Sequence, residues 1–211
     1  MDLRAIFIAL CLITLCSGKP TSNEQCRLPS LEQFDSNMLT GTWYQVLRPT
    51  VPLGKSVLCF VIKDVRETQK DSYARGLIIH PSSNGNIAFE DLPMHFWFRN
   101  NTSIHQMDKK YEYIFVDLEK NLGVSDEGVK EIDGFFSTEA SQLSDYENYM
   151  IWMQCGPNGE RFAAGFTRTN HPSPENILQI RNALIEAGGG WSQVQLHLTS
   201  CTKLDIPYPE A

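Results

Sequence analysis

The chain has 211 residues, 42% of them hydrophobic, and carries 18 Lys and Arg against 25 Asp and Glu, a formal net charge of −7. That length suits one domain with a sizeable core. The acidic balance argues against a nucleic-acid partner, which selects a basic face.

An apolar run from Leu3 to Leu15, broken by Arg4 and followed by the small residues Ser17 and Gly18, has the layout of a secretory signal peptide over residues 1–18. It is too short to span a bilayer, and no second apolar run follows, so no transmembrane segment is predicted. The mature chain is then residues 19–211, a single secreted, extracellular domain. Asp2 and Arg4 cancel, so the mature chain keeps the full −7. Cys11 and Cys16 leave with the signal, and Cys26, Cys59, Cys155 and Cys201 remain in an oxidising compartment. Two disulfides follow, with three pairings open from spacing alone. The acid is concentrated from Glu119 to Asp145, seven acids against Lys120 and Lys130.

From Gly41 onward, short aromatic or β-branched runs alternate with turn residues. The predicted strands are Gly41 to Arg48, Val57 to Arg66, Tyr73 to His80, Asn86 to Asp91, Met94 to Arg99, Tyr111 to Leu118, Glu147 to Cys155 and Arg161 to Arg168. Asn84-Gly85 and Asn158-Gly159 supply cheap positive φ for antiparallel hairpins. The reading is an all-β, up-and-down antiparallel meander that must close into a barrel or bury its edges another way. One helix interrupts it. Ser173 caps it, Pro174 suits its first position, Gly188 to Gly190 end it, and Ile177, Ile180, Leu184 and Ala187 form its apolar stripe. A ninth strand follows over Gln193 to Leu198. On the eighth strand, placing Phe162, Ala164 and Phe166 inside turns Ala163 and Gly165 outward, where small residues admit the helix.

Three separated features coincide: Gly41-Thr42-Trp43-Tyr44 opening the first strand, Ser144-Asp145-Tyr146-Glu147-Asn148-Tyr149 ahead of the seventh, and Arg168 closing the eighth just before the helix. In form and order they resemble the three motifs of the lipocalins. Phe34-Asp35 ahead of Gly41 and the four-cysteine layout resemble most the branch of apolipoprotein D and the insect bilin-binding lipocalins. The resemblance spans roughly residues 26–201 and implies an eight-stranded antiparallel barrel with the helix packed outside and a ninth strand. It also implies disulfides Cys26 to Cys155 and Cys59 to Cys201, and Arg168 lying across Trp43 at the closed end. Gly41, Trp43, Asp145, Tyr146 and Arg168 are then fold determinants. Ser144 stands where the family commonly has Thr, a change that keeps the hydroxyl. The distance to the predicted sixth strand makes residues 119–143 an acidic insertion, placed at the closed end; Ile132 to Phe136 is the alternative strand.

A barrel of about eight strands encloses room for one small ligand. Phe162 and Phe166 are cavity candidates by parity. If Cys155 points outward, Met150, Trp152 and Gln154 point inward. On the fifth predicted strand either Met94, Phe96 and Phe98 or His95 and Trp97 line the cavity; Phe96 and Phe98 are carried as candidates. Enzymatic signals are thin: five scattered His, no HxxxH, no phosphate loop and no free mature thiol. No cofactor and no metal site is implied. Asn100-Asn101-Thr102-Ser103 holds two overlapping glycosylation sequons, of which at most one is used.

Together these point to a non-enzymatic secreted carrier of a small hydrophobic molecule, such as a fatty acid, sterol, retinoid, carotenoid or bilin. The alternative is an extracellular interaction protein acting through its mouth loops or acidic insertion, with a cell-surface receptor or a lipoprotein as partner.

Overall fold

The computed structural model describes residues 25–49, 57–67, 72–82, 84–99, 102–108, 138–156 and 159–204. The signal segment, Asn100, Asn101 and the strand predicted over Tyr111 to Leu118 lie outside them, as does Ile132 to Phe136.

Nine strands form one sheet: β1 (Trp43–Pro49), β2 (Cys59–Glu67), β3 (Ser72–Pro81), β4 (Ile87–Phe98), β5 (Ile104–Met107), β6 (Ala140–Ser144), β7 (Tyr149–Cys155), β8 (Arg161–Thr167) and β9 (Leu196–Leu198). Each of the first seven pairs antiparallel with the next, and β1 pairs with both β2 and β8, which closes the barrel. β1 changes partner along its length, meeting β8 up to Leu47 and β9 from Leu47 to Pro49. A register shift between Gln45 and Leu47 accompanies that handover, as bulges at barrel rims do.

The predicted strand count coincides with the barrel, but its composition differs. Asn86 to Asp91 and Met94 to Arg99 are one continuous strand, β4, which pairs with β3 from Ser72↔Phe96 to Pro81↔Ile87. Pro93 does not break it. The carbonyl of His95 accepts from Asp108 N–H on the β5 side, so Pro93, two residues earlier, turns its nitrogen the same way; described β4–β5 pairing begins only at Phe96. β5 and β6 were not anticipated, because Ile-His-Gln-Met and Ala-Ser-Gln-Leu-Ser lack the β-branched alternation that marks a strand. β6 also takes residues 140–143 out of the segment read as an insertion. Residues 119–137 of that segment, expected at the closed end, lie outside the described residues; β5 enters at Ile104 opposite Ser141, and β6 runs on to Ser144 beside the Trp43 end.

Two apolar clusters lie on either side of the β7–β8 wall. Trp43, Ile62, Ile78, Met94, Phe96, Met107, Met150 and Phe166 fill the inside. Val46, Val61, Ile151, Met153 and Ala163 face outward against Ile180, Ala183 and Leu184 of α1 (Pro174–Glu186) and against Trp191. α1 begins at a reciprocal cap, Asn176 N–H donating to Ser173 Oγ (3.2 Å) and Ser173 N–H to Asn176 Oδ1 (3.1 Å). It lies close to the barrel because Gly165 has no side chain: a Cβ there would stand 3.1 Å from Ile180 Cδ1 and 3.2 Å from Leu47 Cβ.

The disulfides are Cys26–Cys155 and Cys59–Cys201, with Cα–Cα distances of 5.8 and 4.7 Å. They tie the N-terminal segment to the end of β7 and the C-terminal segment to the start of β2. Closing loops of 129 and 142 residues is worth about 5 kcal/mol each in the chain-entropy model.

Candidate functional site

The closed end is a polar network in which each group has found its partner. Trp43 is fully buried and donates Nε1–H to the Leu39 carbonyl (2.9 Å). The Arg168 guanidinium lies 3.6 Å from the Trp43 ring centroid and donates to the carbonyls of Thr40 and Tyr146. Gly41 has φ +92°, and a Cβ there would sit 3.1 Å from Arg168 Nη1, so both backbone and space require glycine ahead of Trp43. The Asp145 carboxylate accepts from the N–H groups of Glu147, Asn148 and Tyr149 (3.1, 2.8 and 2.9 Å) and from the Asn148 amide. Burial alone would raise its pKa, but those hydrogen bonds outweigh it and hold the carboxyl below its ordinary value. Ser144 Oγ accepts from Tyr146 N–H (2.9 Å) and donates to the Tyr149 carbonyl (2.6 Å). Phe34 packs on Tyr146 and Phe98 beneath, at 5.8 and 5.2 Å.

The interior wall above it is different. On β4, Met94 and Phe96 are buried inside while Trp97 is 43% exposed. Phe96 and Phe98 pair across to Met107 and His105 of β5, which puts His105 on the inner face. Its ring centroid lies 5.4 Å from that of Phe96, 5.0 Å from Phe98 and 4.9 Å from Trp152. His105 Nδ1 stands 3.3 Å from the Ser103 carbonyl, while Nε2 has no partner among the described residues. Burial, only partly offset by that carbonyl, pushes its pKa down to about 4, so the imidazole is neutral at physiological pH. Gln142 is the cross-strand neighbour of Trp152 and is itself buried, and its Oε1 also lacks a partner among the described residues. Gln154, fully buried, donates its amide to Thr138. The interior is an aromatic box with a few polar atoms set in it.

Insecticyanin from the tobacco hornworm Manduca sexta superposes on the chain with a TM-score of 0.54 at 11% sequence identity, over 82% of this chain and 85% of that one. The chain has the lipocalin fold. Two further solved structures lie near it: lobster apocrustacyanin A1, with 16% identity, TM-score 0.49 and 78% of each chain covered, and Japanin from Rhipicephalus appendiculatus bound to cholesterol, with 9% identity, TM-score 0.49 and 70% and 89% covered. No protein-family model and no curated protein sequence matches the chain.

Measured on this lipocalin barrel, the cavity candidates separate. Phe96, Met150 and Phe166 are buried in the inner cluster, and Phe98 and Trp152 are half-buried against it. The open question on the fifth predicted strand resolves in favour of Met94, Phe96 and Phe98. Phe162 stands apart, half-buried beside a surface groove of about 310 Å³ that it shares with Pro49, Arg161 and Gly190. His105 and Gln142 were missed. Their strands carried no recognisable pattern, and a lone His or Gln in a polar run gives no sign of facing inward until its cross-strand partners are known. Among the described residues, no group of three His, Cys, Asp or Glu is placed to hold a metal ion, and no helix is long and apolar enough to cross a membrane.

Proposed function

We propose that this lipocalin-fold protein is a secreted, non-enzymatic carrier that binds one small, largely apolar molecule inside the barrel. The observation that carries the reading is the inner face itself: Phe96, Phe98, Met150, Trp152 and Phe166 converge from three strands on one interior, with polar atoms few and placed singly. Burial of apolar ligand surface would contribute about 25 cal/mol per Å², less the cost of immobilisation. The two disulfide pairs support an extracellular setting and the apolipoprotein D-like branch of the fold. A glycan on Asn100 or Asn101 belongs to the same reading.

Native mass spectrometry of the protein secreted from eukaryotic cells, followed by organic extraction, tests the proposal. A bound mass that extraction removes supports it. A ligand-free mass, together with no quenching of tryptophan fluorescence by fatty acids, sterols, retinoids, carotenoids or bilins, overturns it.

One observation favours a second reading. Residues 119–137, which lie between β5 and β6 in the chain, are rich in acid, the charge a basic receptor or lipoprotein surface would meet. Deletion of residues 119–137, which spares β6, discriminates: a carrier keeps its ligand, whereas an acidic docking module loses its partner.

A further inference from the structure

His105 and Gln142 give the interior a chemical polarity that the carrier reading alone does not contain. The Ser103 carbonyl can only accept, so the hydrogen between it and His105 sits on Nδ1, and in the neutral ring Nε2 is left as a bare lone pair. That atom is the one turned away from its own strand, in a ring walled by Phe96, Phe98 and Trp152. His105 is 1% and Gln142 4% exposed, so solvent does not satisfy either acceptor. Buried polar atoms without partners are rare in folded proteins, and two acceptors of one kind flanking the same tryptophan call for a common explanation.

We propose that the ligand presents a hydrogen-bond donor, a hydroxyl or an N–H on an otherwise apolar body, to His105 Nε2, with Gln142 Oε1 as the neighbouring acceptor, and that this pair selects against carboxylates. The inference rests on the carrier reading and narrows it from small apolar molecules to neutral ones with a donor. A carboxylate would bring two acceptors against two acceptors. It would also meet no counter-charge, since no Lys or Arg is among the buried residues of the described chain and the imidazole is neutral. An ether fills the same space but supplies no proton. Discrimination of this kind is steep because it leaves the protein's own acceptors unpaired.

The test is displacement of Nile red from the delipidated full-length protein by four probes of equal chain length: dodecanol, dodecanamide, dodecyl methyl ether and laurate. Dodecanol or dodecanamide binds at least about fivefold more tightly than the ether and laurate, the ratio one net hydrogen bond gives. The better of the two tells hydroxyl from N–H. His105→Phe brings the donor-bearing probes down to the ether without weakening the ether, and Gln142→Leu does so in part. The second variant also stands in should the first fail to fold. Four equal affinities, a preference for laurate, or a donor preference that survives in the variants overturns the inference and leaves a carrier. If Nile red and all four probes fail to bind, the carrier reading falls first and takes this one with it.

Discussion

The closed end and the wall of β5 and β6 are both buried, both polar and built on the same barrel, yet they treat hydrogen bonds in opposite ways. At the closed end Arg168, Asp145, Ser144 and the Trp43 indole are all partnered. On the wall His105 Nε2 and Gln142 Oε1 are not. The shortage is not a property of those strands. Ser103 and Ser141, their buried neighbours, bond to each other (3.1 Å), to Leu31 N–H and to the Pro29 carbonyl, because the N-terminal segment crosses there. Where this chain needs a buried polar group to hold the fold together, it supplies the partner. Among the described residues, His105 Nε2 and Gln142 Oε1 lie on the inner face, where a guest molecule would supply the missing donor.

Breaking the partnered side has the largest expected effect. Trp43→Ala removes a fully buried indole and its hydrogen bond, and takes the stacking surface from Arg168. It costs about 3–5 kcal/mol, measured by urea unfolding, or blocks secretion altogether. A loss under about 1 kcal/mol would show that the closed end does not hold the fold together.

The unpartnered side is addressed by pH. The folded pKa of His105, about 4, lies below the ordinary value of 6.5, so on acidification the unfolded chain takes the proton first. The stabilisation from keeping the ring neutral is complete above pH 6.5 and lost progressively down to pH 4, about 3 kcal/mol in all. Asp145 also loses stability as pH falls, but only below its unfolded value and equally in any His105 variant. The difference between wild type and His105→Phe in urea unfolding at pH 7 and pH 4 therefore isolates the histidine. Equal acid sensitivity of the two proteins would mean that His105 is hydrated and no orphan.

The contrast also explains what was legible in the sequence. Gly41 and the Asp145-Tyr146 turn answer short-range demands, a positive φ and a capped turn, that leave marks in contiguous residues, whereas Arg168 over Trp43 joins distant parts of the chain and was legible only through the resemblance to a family. The inward parity of Phe166, Met150 and Trp152, and the outward turn of Ala163 and Gly165, followed from period-2 alternation once Cys155 was assigned outward. β5 and β6 left no such mark, because four or five residues of mixed polarity become a strand only through their neighbours. His105 and Gln142 sit on those two strands. Their orientation is a consequence of register, which pairs His105 with Phe98 and Gln142 with Trp152 across spans of sequence that no local pattern connects.

Arg168→Leu sharpens the closed-end half of the comparison at intermediate size. It deletes the contact with the Trp43 ring and two donors to the Thr40 and Tyr146 carbonyls. The expected loss is about 2 kcal/mol by thermal or urea unfolding, with probe affinities unchanged per folded molecule. A shift in ligand preference would place this end within the binding site and not beneath it.

Gly165→Ala gives the smallest effect and tests the division between faces most directly. Gly165 sits between Ala164 and Phe166 on β8, but by parity it belongs to the outer face, where the new methyl would stand 3.1–3.2 Å from Ile180 and Leu47. Those atoms must give by a few tenths of an ångström, and α1 must move slightly off the barrel, a strain of about 1 kcal/mol. The inner wall one residue away on either side does not change. Stability should therefore fall while the ranking of dodecanol, dodecyl methyl ether and laurate stays as in wild type. Ala164→Leu, one residue earlier and pointing inward beside Trp152, should do the reverse for binding, lowering affinity for all probes by filling their space. If the two variants behave alike, the wall does not separate framework from site, and the unpaired acceptors on its inner face lose their meaning.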